Sequence, residues 1–133
     1  MRRRVLLMPF VVVAFHLGCD SPTRPTVPAA GSWAGTVADG TSGSGTFQLV
    51  LENPSGTQLV GTWSAIVAGQ IVQGTASGSA VTTPNLLNLS CTGGGVGNMT
   101  FTVASDRISG PYFFFGQVRC PPLDQGSVDL ARR

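Results

Sequence analysis

The chain has 133 residues, with 18 glycines, 9 prolines, 3 cysteines and one histidine, and 11% of its side chains are charged. That length suits one domain with one core, and so little charge beside so much glycine excludes a helical bundle or coiled coil. The formal net charge of +2 and the pI near 8.7 point to nucleic acid only if the basic residues stay with the folded domain.

Three of them are expected to leave. Arg2, Arg3 and Arg4 precede an almost wholly apolar run from Val5 to Phe15. Such a run is too short to span a bilayer as a mature helix, but it has the length of a signal-peptide h-region. It ends in His16-Leu17-Gly18-Cys19. Basic n-region, apolar h-region and Gly-Cys together resemble the lipobox signal of bacterial lipoproteins, although His16 and Leu17 stand where that family has Leu and then Ala or Ser. The resemblance implies cleavage before Cys19, a diacylglyceryl group on its thiol and a fatty acid such as palmitate on its new amine. Residues 1–18 would then be a signal peptide, and the protein would be held by lipid in the bacterial cell envelope, on the periplasmic or outer-membrane face. Ordinary secretion with cleavage nearby is the alternative. Loss of Arg2, Arg3 and Arg4 leaves Arg24, Arg107, Arg119, Arg132 and Arg133 against six carboxylates, a net charge of −1. No nucleic-acid partner is expected.

Residues 19–30 read as the lipidated cysteine and a linker. The stretch DSPTRPTVPAA is rich in Pro and Thr and has no large apolar residue besides Val27. As an extended, polyproline-like segment it reaches about 34 Å.

Residues 31–133 read as one all-β domain. Gly31-Ser32-Trp33, Gly45-Thr46-Phe47 and Gly61-Thr62-Trp63 each open a run of period two, and Gly110-Pro111-Tyr112 is a looser copy. Trp33 and Val37 share one face, as do Phe47, Leu49 and Leu51, then Leu59, Trp63 and Ala65, then Met99, Phe101 and Val103. Alternation with Thr, Val and aromatics predicts half-buried strands. Turn signals such as Asp39-Gly40 and Asn53-Pro54-Ser55-Gly56 separate them. Eight strands are predicted, over 32–38, 45–52, 58–66, 70–77, 80–90, 97–104, 107–115 and 126–131. Short connections between consecutive strands predict an antiparallel up-and-down meander, and closing it into a barrel removes both open edges. Pro84 marks a bulge or an edge in the fifth run. A β-sandwich is the alternative fold.

With Cys19 committed to lipid, Cys91 and Cys120 remain. Export to an oxidising compartment makes a disulfide the expected state. In the chain-entropy account it stabilises by about 3.5 kcal/mol for a loop of about thirty residues.

Gly31-Ser32-Trp33 resembles the Gly-x-Trp of lipocalins and the opening strand of avidins. Leu59-Val60-Gly61-Thr62-Trp63 is similar to a later avidin strand. Both resemblances imply an eight-stranded barrel that binds small molecules at its mouth, and the lipocalin one implies that Arg132 packs over Trp33. Gly35 and Asp39 stand where avidins carry an Asn and a Ser for biotin, so a biotin site is not expected.

The mature chain has no histidine and no lysine, because His16 lies in the signal peptide. That excludes Ser-His-Asp and Cys-His catalysis, histidine-ligated zinc and lysine Schiff bases. The six carboxylates sit in the linker, in turns or beside strand ends, and read as solvated. No enzyme, cofactor or metal site is expected. Aromatics are the remaining lead. Trp33, Trp63 and Tyr112 are candidate ligand-binding residues, able to offer polar tips to a small apolar ligand inside the barrel. In Phe113-Phe114-Phe115 the outer pair shares a face, so Phe113 and Phe115 are a candidate interaction patch. Two functions follow: a module that binds a small apolar ligand, or a solid-cored structural or protein-interaction module. The state of the barrel interior separates them.

Overall fold

The computed structural model describes residues 29–79 and 85–133. Eight strands follow one another: β1 (Gly31–Asp39), β2 (Gly43–Ser55), β3 (Gln58–Val67), β4 (Gln70–Ser79), β5 (Asn85–Cys91), β6 (Val96–Ala104), β7 (Arg107–Phe115) and β8 (Gln125–Arg132). Each pairs antiparallel with its neighbours, and β1 also pairs with β8, so the meander closes into a barrel. The alternative sandwich is excluded. The signal-peptide and lipidation readings, together with Pro84, lie outside the described residues.

Period two sets the inside and outside of the wall. Trp33, Phe47, Leu49, Leu59, Trp63, Leu87, Met99, Phe101, Ile108 and Leu130 are buried in one core, while Thr, Ser and Gln take the positions between them. Tight turns join β2 to β3, β3 to β4 and β6 to β7. Ala68 and Gly69 both have positive φ, the geometry that suits a two-residue hairpin loop between twisted strands.

Closing eight strands also requires sharp bends. Among the described residues, every strand except β5 carries an inward glycine where a Cβ would overlap a carbonyl oxygen of a neighbouring strand. At Gly61 the obstacle is the Val50 carbonyl, and at Gly74 it is the Ser90 carbonyl with the Trp63 indole behind it. Removing the side chain there lets neighbouring backbones converge and the wall curve.

The two poles are closed differently. At the pole where β1 begins, Ala29 is buried, the Trp33 indole N–H donates to its carbonyl (3.0 Å), and Arg132 donates to Ala30 O (2.8 Å). The Arg132 guanidinium also lies 4.2 Å above the Trp33 ring, as the lipocalin resemblance implied. Ala29 and Ala30, placed at the end of the linker by sequence, are thus part of the closure. At the opposite pole the long connection between β7 and β8 folds inward. Cys120 and Leu123 are buried there, and Cys120 is disulfide-bonded to Cys91.

Candidate functional site

The candidate ligand-binding residues all lie inside the barrel. Phe47 stacks parallel on Trp63 with ring centres 5.8 Å apart. Trp63 leans on Phe114 at 5.9 Å, and Phe114 meets Tyr112 edge-on at 6.2 Å. These four rings form one buried row, and Trp33 lies at the far pole. The polar tips are taken by the protein. Trp33 Nε1 donates to Ala29 O, Trp63 Nε1 donates to Thr75 O (3.1 Å), and the Tyr112 hydroxyl donates to Asp39 Oδ2 (2.6 Å).

Asp39 corrects the reading of six solvated carboxylates. It is 6% exposed. Its Oδ1 accepts from the backbone N–H of Thr41 and of Ser42, both at 2.9 Å, and its Oδ2 accepts from Tyr112 and from the Asp124 N–H (2.9 Å). Burial pushes the carboxyl up, but hydrogen bonds from Asp124 N–H, Tyr112, Ser42 and Thr41 outweigh it and hold Asp39 below its ordinary value. Tyr112 moves the other way. Burial first, then its bond to Asp39 and the charges of Asp39 and Asp124, raise it far above the usual tyrosine value. One carboxylate therefore joins the turn after β1, the end of β7 and the loop before β8. The signal for its burial was present, since residue 39 has the parity of Trp33, Gly35 and Val37. Its place beside a Gly-rich turn hid it.

Phe113 and Phe115 point outward, as their shared parity implied. They are 49% and 40% exposed, with ring centres 5.4 Å apart. Val96, paired across from Phe115, is exposed as well.

Three cavities among the described residues open to the outside, and one of about 440 Å³ is lined by Gly40, Pro111, Tyr112, Phe113, Gln125 and Gly126. Another, of about 430 Å³, lies over β2, β3 and β4 and is lined by Trp63, a candidate ligand-binding residue, with Gln48, Val50, Thr62, Gln73 and Thr75 among others. The third, of about 370 Å³, lies at the disulfide-bearing pole between the start of β4 and the turn after β5. Ile71, Val72, Gln73, Cys91, Thr92, Gly93, Arg119 and Pro121 line it. Among the described residues no group of three or more His, Cys, Asp or Glu side chains stands together in a way that would hold a metal.

No protein-family model matches the chain, and no curated protein sequence matches it. Solved structures do. One, a de novo design of a fluorescence-activating beta barrel, superposes with a TM-score of 0.61 at 13% identity, covering 78% of this chain and 93% of that one. Another, "Structure of EF1p2_mFAP2b bound to DFHBI", gives a TM-score of 0.66 at 14% identity, covering 83% of this chain and 98% of that one. Identities this low carry the fold alone, and the fold they carry is the antiparallel β-barrel seen here.

Proposed function

We propose that this chain is a lipid-anchored, non-enzymatic module of the bacterial cell envelope that works by binding through its outer surface. One observation carries the reading. The polar tips of Trp33, Trp63 and Tyr112 are spent inside the protein, whereas Phe113 and Phe115 stand exposed side by side on the wall. The anchor at Cys19 would join the domain at the pole where β1 begins. The Phe pair sits toward the other pole, and the nine residues between Cys19 and Ala29, which reach at most about 28 Å when extended, let it stand clear of the headgroups.

Two measurements test this. Labelled palmitate should be incorporated into the wild type and not into a Cys19→Ser variant. Crosslinks formed in intact cells should be lost when Phe113 and Phe115 are both replaced by Ser while the thermal transition is unchanged. Retained crosslinks would remove the patch from the reading.

A second reading has its own support. The row Phe47–Trp63–Phe114–Tyr112 is an aromatic interior, and one barrel of similar fold is bound to DFHBI. An apolar ligand would then enter the barrel beside that row. Titration with DFHBI should quench Trp63 fluorescence under this reading and leave it unchanged under the first.

A further inference from the structure

The barrel is closed, yet β4 runs past its partner β5 and leaves a short open edge. Strands β4 and β5 pair from Gly74 with Cys91 to Gly78 with Leu87. One further backbone bond follows, from Thr92 N–H to Gln73 O (3.0 Å), and the Thr92 hydroxyl donates to the same oxygen (2.9 Å). Beyond that point the chain after β5 turns away, closed by bonds from Gly94 N–H to Cys91 O and from Cys91 N–H to Gly95 O. Strand β4 continues for three more residues, to Gln70.

Parity fixes what this extension presents. The Gln73 carbonyl faces β5, so the N–H and C=O of Ile71, two residues earlier, face the same way. In the β3–β4 ladder, Ile71 stands opposite Ile66 as Gln73 stands opposite Ser64. Among the described residues no strand meets those two groups of Ile71. The 370 Å³ crevice lies on that side of β4. Val72 and the disulfide-bonded Cys91 give it apolar lining beside the polar Gln73, Thr92 and Arg119, and Ile71 is 75% exposed. Arg119 at the rim is already matched by Asp124 (3.1 Å) and by the Phe114 carbonyl (3.0 Å).

We propose that this crevice binds an extended, uncharged peptide segment, which adds a short strand to the edge of β4. The chemistry selects the occupant. The edge offers one donor and one acceptor on a single residue, and a peptide backbone answers both in one register. An apolar side chain of the segment packs against Val72 and the disulfide, and Arg119, already paired with Asp124, favours no charge on it. Exposed strand edges are ready templates for pairing. The site is distinct from the Phe113–Phe115 pair and stands without it.

The probe is the peptide acetyl-Val-Thr-Val-Thr-Val-amide, titrated to on the order of 1 mM into the disulfide-bonded protein and followed by amide NMR. Saturable shifts confined to Ile71, Gln73, Thr92 and their neighbours are expected. The same peptide N-methylated at its central Val loses the donor and should bind at least about tenfold more weakly. Ile71→Pro removes the edge N–H and should abolish the shifts, whereas Ile66→Ser, on the paired strand, should keep them. If Ile71→Pro does not fold, the N-methylated peptide still decides. Absence of shifts, equal binding of the N-methylated peptide, or shifts centred on the interior rings would overturn the proposal. So would self-association that protects the Ile71 amide without peptide, because a second copy would then be the occupant.

Discussion

The two poles of the barrel reach the same result by different chemistry. Where β1 begins, closure uses an indole, a guanidinium and backbone carbonyls, with Arg132 reaching back across 102 positions to Ala30 O. The other pole adds a covalent bond and a buried carboxylate. A nine-residue excursion between β7 and β8 is held by the Cys91–Cys120 disulfide and by Asp39, which reaches Tyr112 across 73 positions and Asp124 across 85. Six of the eight exposed large apolar side chains among the described residues also lie toward this second pole: Ile66, Ile71, Val96, Phe113, Phe115 and Val118. The pole that carries the apolar surface is thus the one whose closure depends on redox state and pH.

The largest expected effect breaks this asymmetry covalently. Replacing Cys91 and Cys120 together by Ala should cost about 3.5 kcal/mol, with a loop of about thirty residues released. Urea denaturation measures the total, and amide exchange locates it. The Leu123 N–H, bonded to Cys120 O at 2.8 Å, should exchange far faster. The Arg132 N–H, bonded to Asp106 O at 2.7 Å near the other pole, should change only with global stability. Equal acceleration at both sites would mean that the poles are not independent.

A glycine in the shared wall supplies the contrast. Gly74→Ala sets a methyl group against the Ser90 carbonyl and the Trp63 indole, so backbone rather than a side chain must move. A loss of about 3 kcal/mol is expected in thermal or urea unfolding, with exchange rising at both poles alike. The replacement Gly56→Ala, at a turn glycine whose added Cβ meets nothing within 4 Å, should be close to neutral.

Tyr112→Phe sharpens the comparison chemically. It removes one of four bonds to a buried carboxylate and keeps the ring against Phe114, so about 2 kcal/mol of stability should be lost. The pH profile should change with it. Asp39 titrates below its ordinary 3.8 in the folded state, so the unfolded chain binds the proton first, and this contribution is present above about 3.8 and fades as pH falls further. Tyr112 keeps its proton in the folded state beyond the ordinary value of 10.0, so its contribution is present below 10 and is lost as pH rises past it. Melting temperature against pH should therefore show a plateau with an acid and an alkaline shoulder. Tyr112→Phe should remove the alkaline shoulder, and a shoulder that persists would assign it elsewhere.

How much of this was legible in the sequence follows the range of each interaction. Alternation and turn chemistry act over a few residues, and they place all eight strands. The fifth, predicted from 80, is described from Asn85. Cys91 and Cys120 were paired by elimination, and Arg132 over Trp33 came with the lipocalin resemblance. The inward glycines were visible only as strand openers or turn formers, because their role depends on where a neighbouring strand's carbonyl falls. Asp39 bonded to Tyr112 joins residues that no local pattern links. The open edge at Ile71 depends on where one ladder stops short of another, which register decides and composition does not.

The smallest expected effect tests the pole that reduction should not reach. Arg132→Met keeps much of the aliphatic packing over Trp33 and removes the charge above the ring and the bond to Ala30 O. A cation over an indole is worth about 0.5–2 kcal/mol, and the partial exposure of Arg132 argues for about 1 kcal/mol here. That loss should be the same with the disulfide intact or reduced, because this closure rests on a cation over a ring and on bonds to backbone carbonyls and contains no disulfide. If the cost of Arg132→Met instead doubles on reduction, the poles communicate through the core. The row from Phe47 to Tyr112, rather than the two caps, would then be the unit that sets the stability of the barrel.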